Sequence, residues 1–181
     1  MTNTPSPPTL ADSWLKELDP TVPIRAVALP VQSASLNQLL SRSEWLPNSL
    51  AVAMLWLRIG EIERPHSIVQ NDASPIGSYL HGIVHRLEGD FWNSNYWFQR
   101  VHDAALLSRV SSTVLGGLKS TGMVEAARTL DLLQADGFRP ASFVAACEFV
   151  EAKRSKLTNV DLLERVGFLE WSSLWEIVLT S

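Results

Sequence analysis

The chain has 181 residues, 46% of them hydrophobic, with seven tryptophans and a formal net charge of −4 spread over interspersed acids and bases. That length can bury a real core in one domain, and that composition excludes a disordered or low-complexity chain. No basic stripe is present to neutralise phosphates, which argues against nucleic acid as a partner, and the single cysteine, Cys147, excludes an internal disulfide or a multi-cysteine zinc site.

Residues 1 to 9 are rich in Pro, Ser and Thr and lack the basic start and apolar run of a signal peptide. Residues 11 to 18 read as a short helix ended by Asp19-Pro20, and the proline-punctuated stretch 21 to 30 as an extended connector. We therefore expect a mobile arm and connector over 1–32 and a single α-helical domain over 33–181. Within that domain a short helix at 35–40 precedes Pro47-Asn48-Ser49, which offers capping chemistry for an apolar helix running to Ile59 and stopped by Gly60. A second short helix over 64–71 tolerates Pro65 in its first turn, and 72–77 reads as a loop. Helices follow over 78–88, broken at Gly89, and over 92–105. The stretch 111–122, with Gly116-Gly117, reads as a flexible connection. Three further helices are expected at 123–135, ended by Asp136-Gly137, at 140–156, and at 159–179, capped by Thr158 or Asn159. No segment sustains a period-two alternation, so the fold class is all-α with essentially no sheet. The longest apolar stretch, Leu50 to Leu57, falls far below the roughly 20 residues that span a bilayer, which predicts a soluble, cytoplasmic chain without a membrane partner.

Aligning the two helix-breaking glycines exposes a weak internal repeat. Trp56-Leu-Arg-Ile-Gly60-Glu-Ile lies over His85-Arg-Leu-Glu-Gly89-Asp-Phe: a helix, a glycine with a following acid, an apolar residue and a second helix. Glycine suits the left-handed position that ends a helix, and the acid favours the positive end of the next one. The second unit resembles a tetratricopeptide-type hairpin. Gly82 and Gly89 fall at its first helix and turn, and Phe91, Ser94, Phe98 and Val101 at its second-helix positions. It departs from that motif at His81 and His85, and the 29-residue offset from Gly60 to Gly89 is shorter than the usual repeat of roughly 34. The expectation is one compact multi-helix domain with stacked hairpins of this kind.

A second resemblance covers more of the chain. The run from Gly77 to Val101, with its His-x3-His-Arg-x-Glu-x-Asp and Tyr-Trp-Phe-x-Arg-Val elements, resembles an uncharacterised family of helical proteins. The same family carries an upstream element like Glu63-Arg-Pro-His66-Ser-Ile-Val-Gln70 and a C-terminal helix like Leu169-Glu-Trp171-Ser-Ser-Leu-Trp. The resemblance implies a compact helical fold and a shared block over 60–102, and no particular reaction.

All four histidines lie in that block: His66, His81, His85 and His102. His81 and His85 are four apart and Glu88 three further on, so the three share a helix face. Two imidazoles at that spacing and a carboxylate one turn on make a three-ligand metal set of His81, His85 and Glu88, with His66 able to add a fourth ligand. The helix lacks the Glu that follows the first His in zinc proteases, since Gly82 stands there. The same histidines read more readily as core residues bonded to a carboxylate or a carbonyl, which is the favoured reading of the spacing alone. Arg86 with Asp90, and Arg100 with Glu88 or Asp90, are spaced to form ion pairs that lock the hairpin. The aromatics Trp92, Tyr96, Trp97 and Phe98 spread around their helix, so some must lie outside the core. Trp171 and Trp175 are placed to close the core, and Cys147, among apolar neighbours, reads as a buried thiol. Neither a phosphate-binding loop nor a nucleophile elbow is present.

Two functions therefore stand as expectations. One is a protein- or ligand-binding module using the 60–102 surface, with His66, His81, His85, Glu88, Tyr96 and Arg100 as candidate contacts and a protein or small molecule as partner. The other is a metal- or His/Glu-dependent enzyme with its site on His66, His81, His85 and Glu88. The sequence names no cofactor.

Overall fold

In the computed structural model, residues 49–135, 137–153 and 160–180 are described. The helices expected at 11–18 and 35–40, and the arm and connector at 1–32, lie outside them. The described residues form eight helices and one two-stranded hairpin. The helices are α1 (Ser49–Arg58), α2 (Glu63–Val69), α3 (Pro75–Glu88), α4 (Phe91–Gln99), α5 (Ala104–Ser120), α6 (Val124–Thr129), α7 (Pro140–Lys153) and α8 (Val160–Thr180). The all-α expectation holds.

Local chemistry sets the boundaries around the 60–102 block. Ser74 accepts from the Gly77 amide at 3.0 Å, with Pro75 in the first turn, so α3 starts three residues earlier than the sequence suggested. Gly89, at φ 78°, ends it in the left-handed conformation, and Asp90 immediately caps α4 by accepting from the Asn93 amide at 3.1 Å. Asp103 caps α5 by accepting from the Leu106 amide at 2.9 Å, which splits the helix expected over 92–105 at Arg100–His102.

Two expectations are corrected. The stretch 111–122 is no flexible connection, since α5 runs through Gly116-Gly117 to Ser120. A Cβ on Gly117 would lie 2.3 Å from Leu169 Cδ2, so that glycine serves the close approach of α5 to α8. The helix expected over 123–135 stops at Thr129, and Leu133–Gln134 (β1) pairs antiparallel with Gly137–Phe138 (β2).

The core is one continuous cluster that draws on all the longer helices, including Tyr79, Phe143, Leu163 and Trp175. Helices α3 and α4 pack as the tightest hairpin, with Phe98 against Gly82 and the Ser94 hydroxyl donating to the Gly82 carbonyl at 2.7 Å. Helix α8 lies against α5, α1 and α7, and Trp171 and Trp175 on it stack at 5.3 Å inside the core, with Trp171 Nε1 donating to the Met54 carbonyl. No helix among the described residues is long and apolar enough to cross a membrane.

Candidate metal centre

Helix α3 is buried along nearly its whole length, so two of its faces carry polar groups that must find partners inside the protein. One face presents His81 and His85 toward α2, whose roughly two turns carry His66. One ring nitrogen from each of His66, His81 and His85 lies within 4.8 Å of the other two. The ring centroids are 4.8–4.9 Å apart, His81 stacked on His85 and His66 edge-on to both.

Glu88 closes the set. Its Oε1 lies 3.2 Å from His66 Nδ1 and its Oε2 lies 2.9 Å from His85 Nδ1, so one carboxylate spans the two helices. An ionised carboxylate only accepts, so in the His85–Glu88 hydrogen bond Nδ1 carries the proton and the lone pair rests on Nε2. A carboxylate behind an imidazole fixes its tautomer and raises its basicity toward a cation.

His81 has neither kind of partner. It is 3% exposed, and among the described residues neither of its ring nitrogens has a hydrogen bond. Burial first, then the neighbouring His85 and His66, holds its pKa down at about 4, so the ring is neutral in ordinary buffers. Trp97 stacks on its other face at 3.9 Å between centroids, leaving the ring edge as the only outlet for its polar atoms. A buried polar atom without a partner costs about 1–3 kcal/mol.

A metal would take one nitrogen from each ring, His81 included. Zinc–imidazole bonds are about 2.0–2.1 Å, so three nitrogens at most 4.8 Å apart need to move inward by at most roughly 0.7 Å each to share one ion. The Glu88 separations are close to the ligand–ligand edge of such a sphere, about 3.3 Å, so the same carboxylate can orient the imidazoles or join them on the ion. His66 and Glu88 are each about one-third exposed on their side chains, which leaves the centre an open side.

The other candidates sit elsewhere. His102 is exposed and outside the cluster. Tyr96 and Arg100 lie on the far side of Trp97: the Arg100 guanidinium donates to the Tyr96 hydroxyl at 3.2 Å and sits over the Tyr96 and Trp97 rings. It does not reach Glu88 or Asp90 as expected, because it lies beyond the end of α4, folded back on that helix's own aromatics. The expected Arg86–Asp90 pair is also corrected: Asp90 is occupied in capping α4, and Arg86 points to the other face of α3.

There the sequence reading missed a constellation. Both Arg86 guanidinium amines donate to Glu170 of α8, and the Tyr79 hydroxyl donates to Glu170 Oε1 at 2.9 Å. Glu170 is fully buried, and the Arg86 guanidinium also lies 4.1 Å over the Phe143 ring. Burial pushes the Tyr79 phenol well up, as does the adjacent Glu170 charge. Arg86 is shifted up as well: burial opposes its charge and Glu170 outweighs it. Beside this network Cys147 is buried as expected, and desolvation pushes its thiol up to about 12.

Compared with family models, with curated proteins and with solved structures, the chain matches none.

Proposed function

We propose that this helical protein binds one first-row transition-metal ion of the zinc class through His66, His81 and His85, with Glu88 orienting or completing the set. Three clustered imidazoles favour zinc, copper, nickel or iron over the oxygen-seeking cations. The observation that carries the reading is His81, a neutral buried imidazole with both nitrogens unpartnered beside two others within 4.8 Å. A core histidine kept for structure would hold a hydrogen bond. The open side between His66 and Glu88 gives the ion room for a water or a substrate group, the arrangement of catalytic rather than purely structural sites.

The test is elemental analysis of the untagged full-length protein beside a His81→Ala/His85→Ala variant. The expected result is one equivalent of metal in the parent, lost in the variant. Absence of metal after preparation, with no change in thermal stability on adding zinc, nickel or cobalt, defeats the proposal.

A second reading has its own support. Trp92, 76% exposed, and Tyr96, 43% exposed, stack at 6.1 Å on the outer face of α4. Exposed aromatics in register on one helix suit a protein partner, so the tetratricopeptide-like α3–α4 hairpin doubles as a binding module. A cytoplasmic setting and no role in binding nucleic acid complete the proposal, in keeping with the lone thiol and the acidic balance.

A further inference from the structure

A small polar pocket of about 340 Å³ shares Trp97 with the histidine cluster. Gln70 and Asn71 at the end of α2, Ser78 in the first turn of α3, and Trp97 form part of its wall. Gln70 lies four residues after His66 and Ser78 three before His81, so each shares a helix face with a histidine, about one turn or 5 Å along the axis. Trp97 belongs to both sites, since its ring stacks on His81 and the residue also lines the pocket.

The pocket carries charges of two signs, since Arg100 and Asp72 both line it, with His102 beside them in the lining. The Arg100 guanidinium is held by the Tyr96 hydroxyl and the two aromatic rings, and a guanidinium has five donors in a fixed fork that matches a carboxylate. Asp72 Oδ1 accepts from the Ser74 amide at 2.8 Å, which fixes the carboxylate and leaves it further acceptor capacity. The Gln70 and Asn71 amides and the Ser78 hydroxyl add neutral donors and acceptors.

We infer that this pocket binds a small α-amino acid across Trp97 from the metal site, its carboxylate on Arg100 and His102 and its ammonium on Asp72. The volume lies at the small end of ligand sites, which suits a molecule of that size. A dianionic phosphate is disfavoured by Asp72, and an amine without a carboxylate by Arg100. The inference rests on the metal reading for its neighbour across Trp97 and names the ligand class of that site.

The experiment is a thermal-shift and calorimetry screen of full-length, zinc-loaded protein. Its probes are the common α-amino acids other than histidine and cysteine, which chelate zinc themselves. Their des-amino counterparts and inorganic phosphate run alongside, and metal content is measured on the same samples. At least one amino acid should bind. Arg100→Gln and Asp72→Asn should each weaken it on the order of tenfold to a hundredfold while retaining the metal. The inference is overturned if no amino acid binds to protein that carries its metal, or if the des-amino acid or phosphate binds as well as the amino acid. It is also overturned if either variant binds like the parent. Protein that takes up no metal at all fails the underlying reading instead, and is told apart by the metal measurement.

Discussion

Replacing His81 by Phe separates a metal ligand from a core histidine, because the two readings give opposite signs in metal-free protein. His81 is 3% exposed with two unpartnered ring nitrogens, each costing about 1–3 kcal/mol to bury. Phenylalanine removes both atoms and keeps a ring to stack on Trp97, while its extra volume takes back about 1–3 kcal/mol in a packed site. The net expectation in EDTA is a gain of roughly 1–2 kcal/mol, read by urea unfolding as a higher midpoint at unchanged slope. With zinc at about a hundred times its dissociation constant, the parent gains about 2.7 kcal/mol and the variant, having lost a ligand, gains little. The order of stabilities therefore reverses between EDTA and zinc. A variant less stable than the parent in EDTA by about 2 kcal/mol or more would show that His81 holds a structural bond, and equal zinc stabilisation of both proteins would sink the metal role.

The same residue sets a pH dependence in metal-free protein. Its folded pKa of about 4 lies below the ordinary 6.5, so the unfolded chain takes the proton first on acidification. Stability from this group is whole above pH 6.5 and falls by about 3 kcal/mol as the pH drops to about 4, a slope that urea titrations should find missing in His81→Phe. Neighbouring glycines of α5 should respond oppositely to alanine. Gly116→Ala, with nothing within 4 Å of the new carbon, should raise stability by about 0.5–1 kcal/mol, whereas Gly117→Ala, driven against Leu169, should lower it by about 1–3 kcal/mol; a shared sign in thermal unfolding contradicts the packing argument. Cys147, with its thiol pushed to about 12, should resist a disulfide reagent at pH 8 until the chain unfolds, and alkylation at the rate of a free thiol would show that the site is open.

The sequence carried the helices where it carried their ends. Gly89 and the acid after it were readable, and so was the i, i+4 spacing that aligned His81 with His85. His66 comes to them through the packing of α2 on α3, which no spacing within one helix could show. Three things were not legible. Asp136-Gly137 was read only as a helix stop, though Asp-Gly is also a hairpin signal, because two-residue strands are too short to show a period. Gly116-Gly117 looked like a hinge because the cost of glycine in a helix is local, whereas the Leu169 side chain that requires it is 52 residues away. Glu170, an acid inside a hydrophobic helix, was the one signal for the buried network. Its partners lie 84 and 91 residues back, beyond any spacing rule.

That network bears on the histidine cluster through the rotation of α3. Tyr79 and Arg86, seven apart, share one face, and His81, His85 and Glu88 share a face roughly 140° away at about 100° per residue. Any turn of the helix that improves one set displaces the other. A bidentate, hydrogen-bonded ion pair has strict angular demands, while apolar contacts tolerate sliding, so the Glu170 pair is the contact suited to set the angle at which the histidines meet α2. Removing one partner, as in Glu170→Ala, strands a buried guanidinium and should cost about 3–5 kcal/mol. The more telling variant replaces the whole network with apolar residues, Tyr79→Phe/Arg86→Met/Glu170→Leu, which should leave stability nearly unchanged or raised. If the network sets the rotation, zinc affinity in a chelator competition should nonetheless fall by on the order of tenfold, the size seen when groups that orient ligands are lost. Parent-like affinity in that stable variant would mean that packing alone aims the histidines.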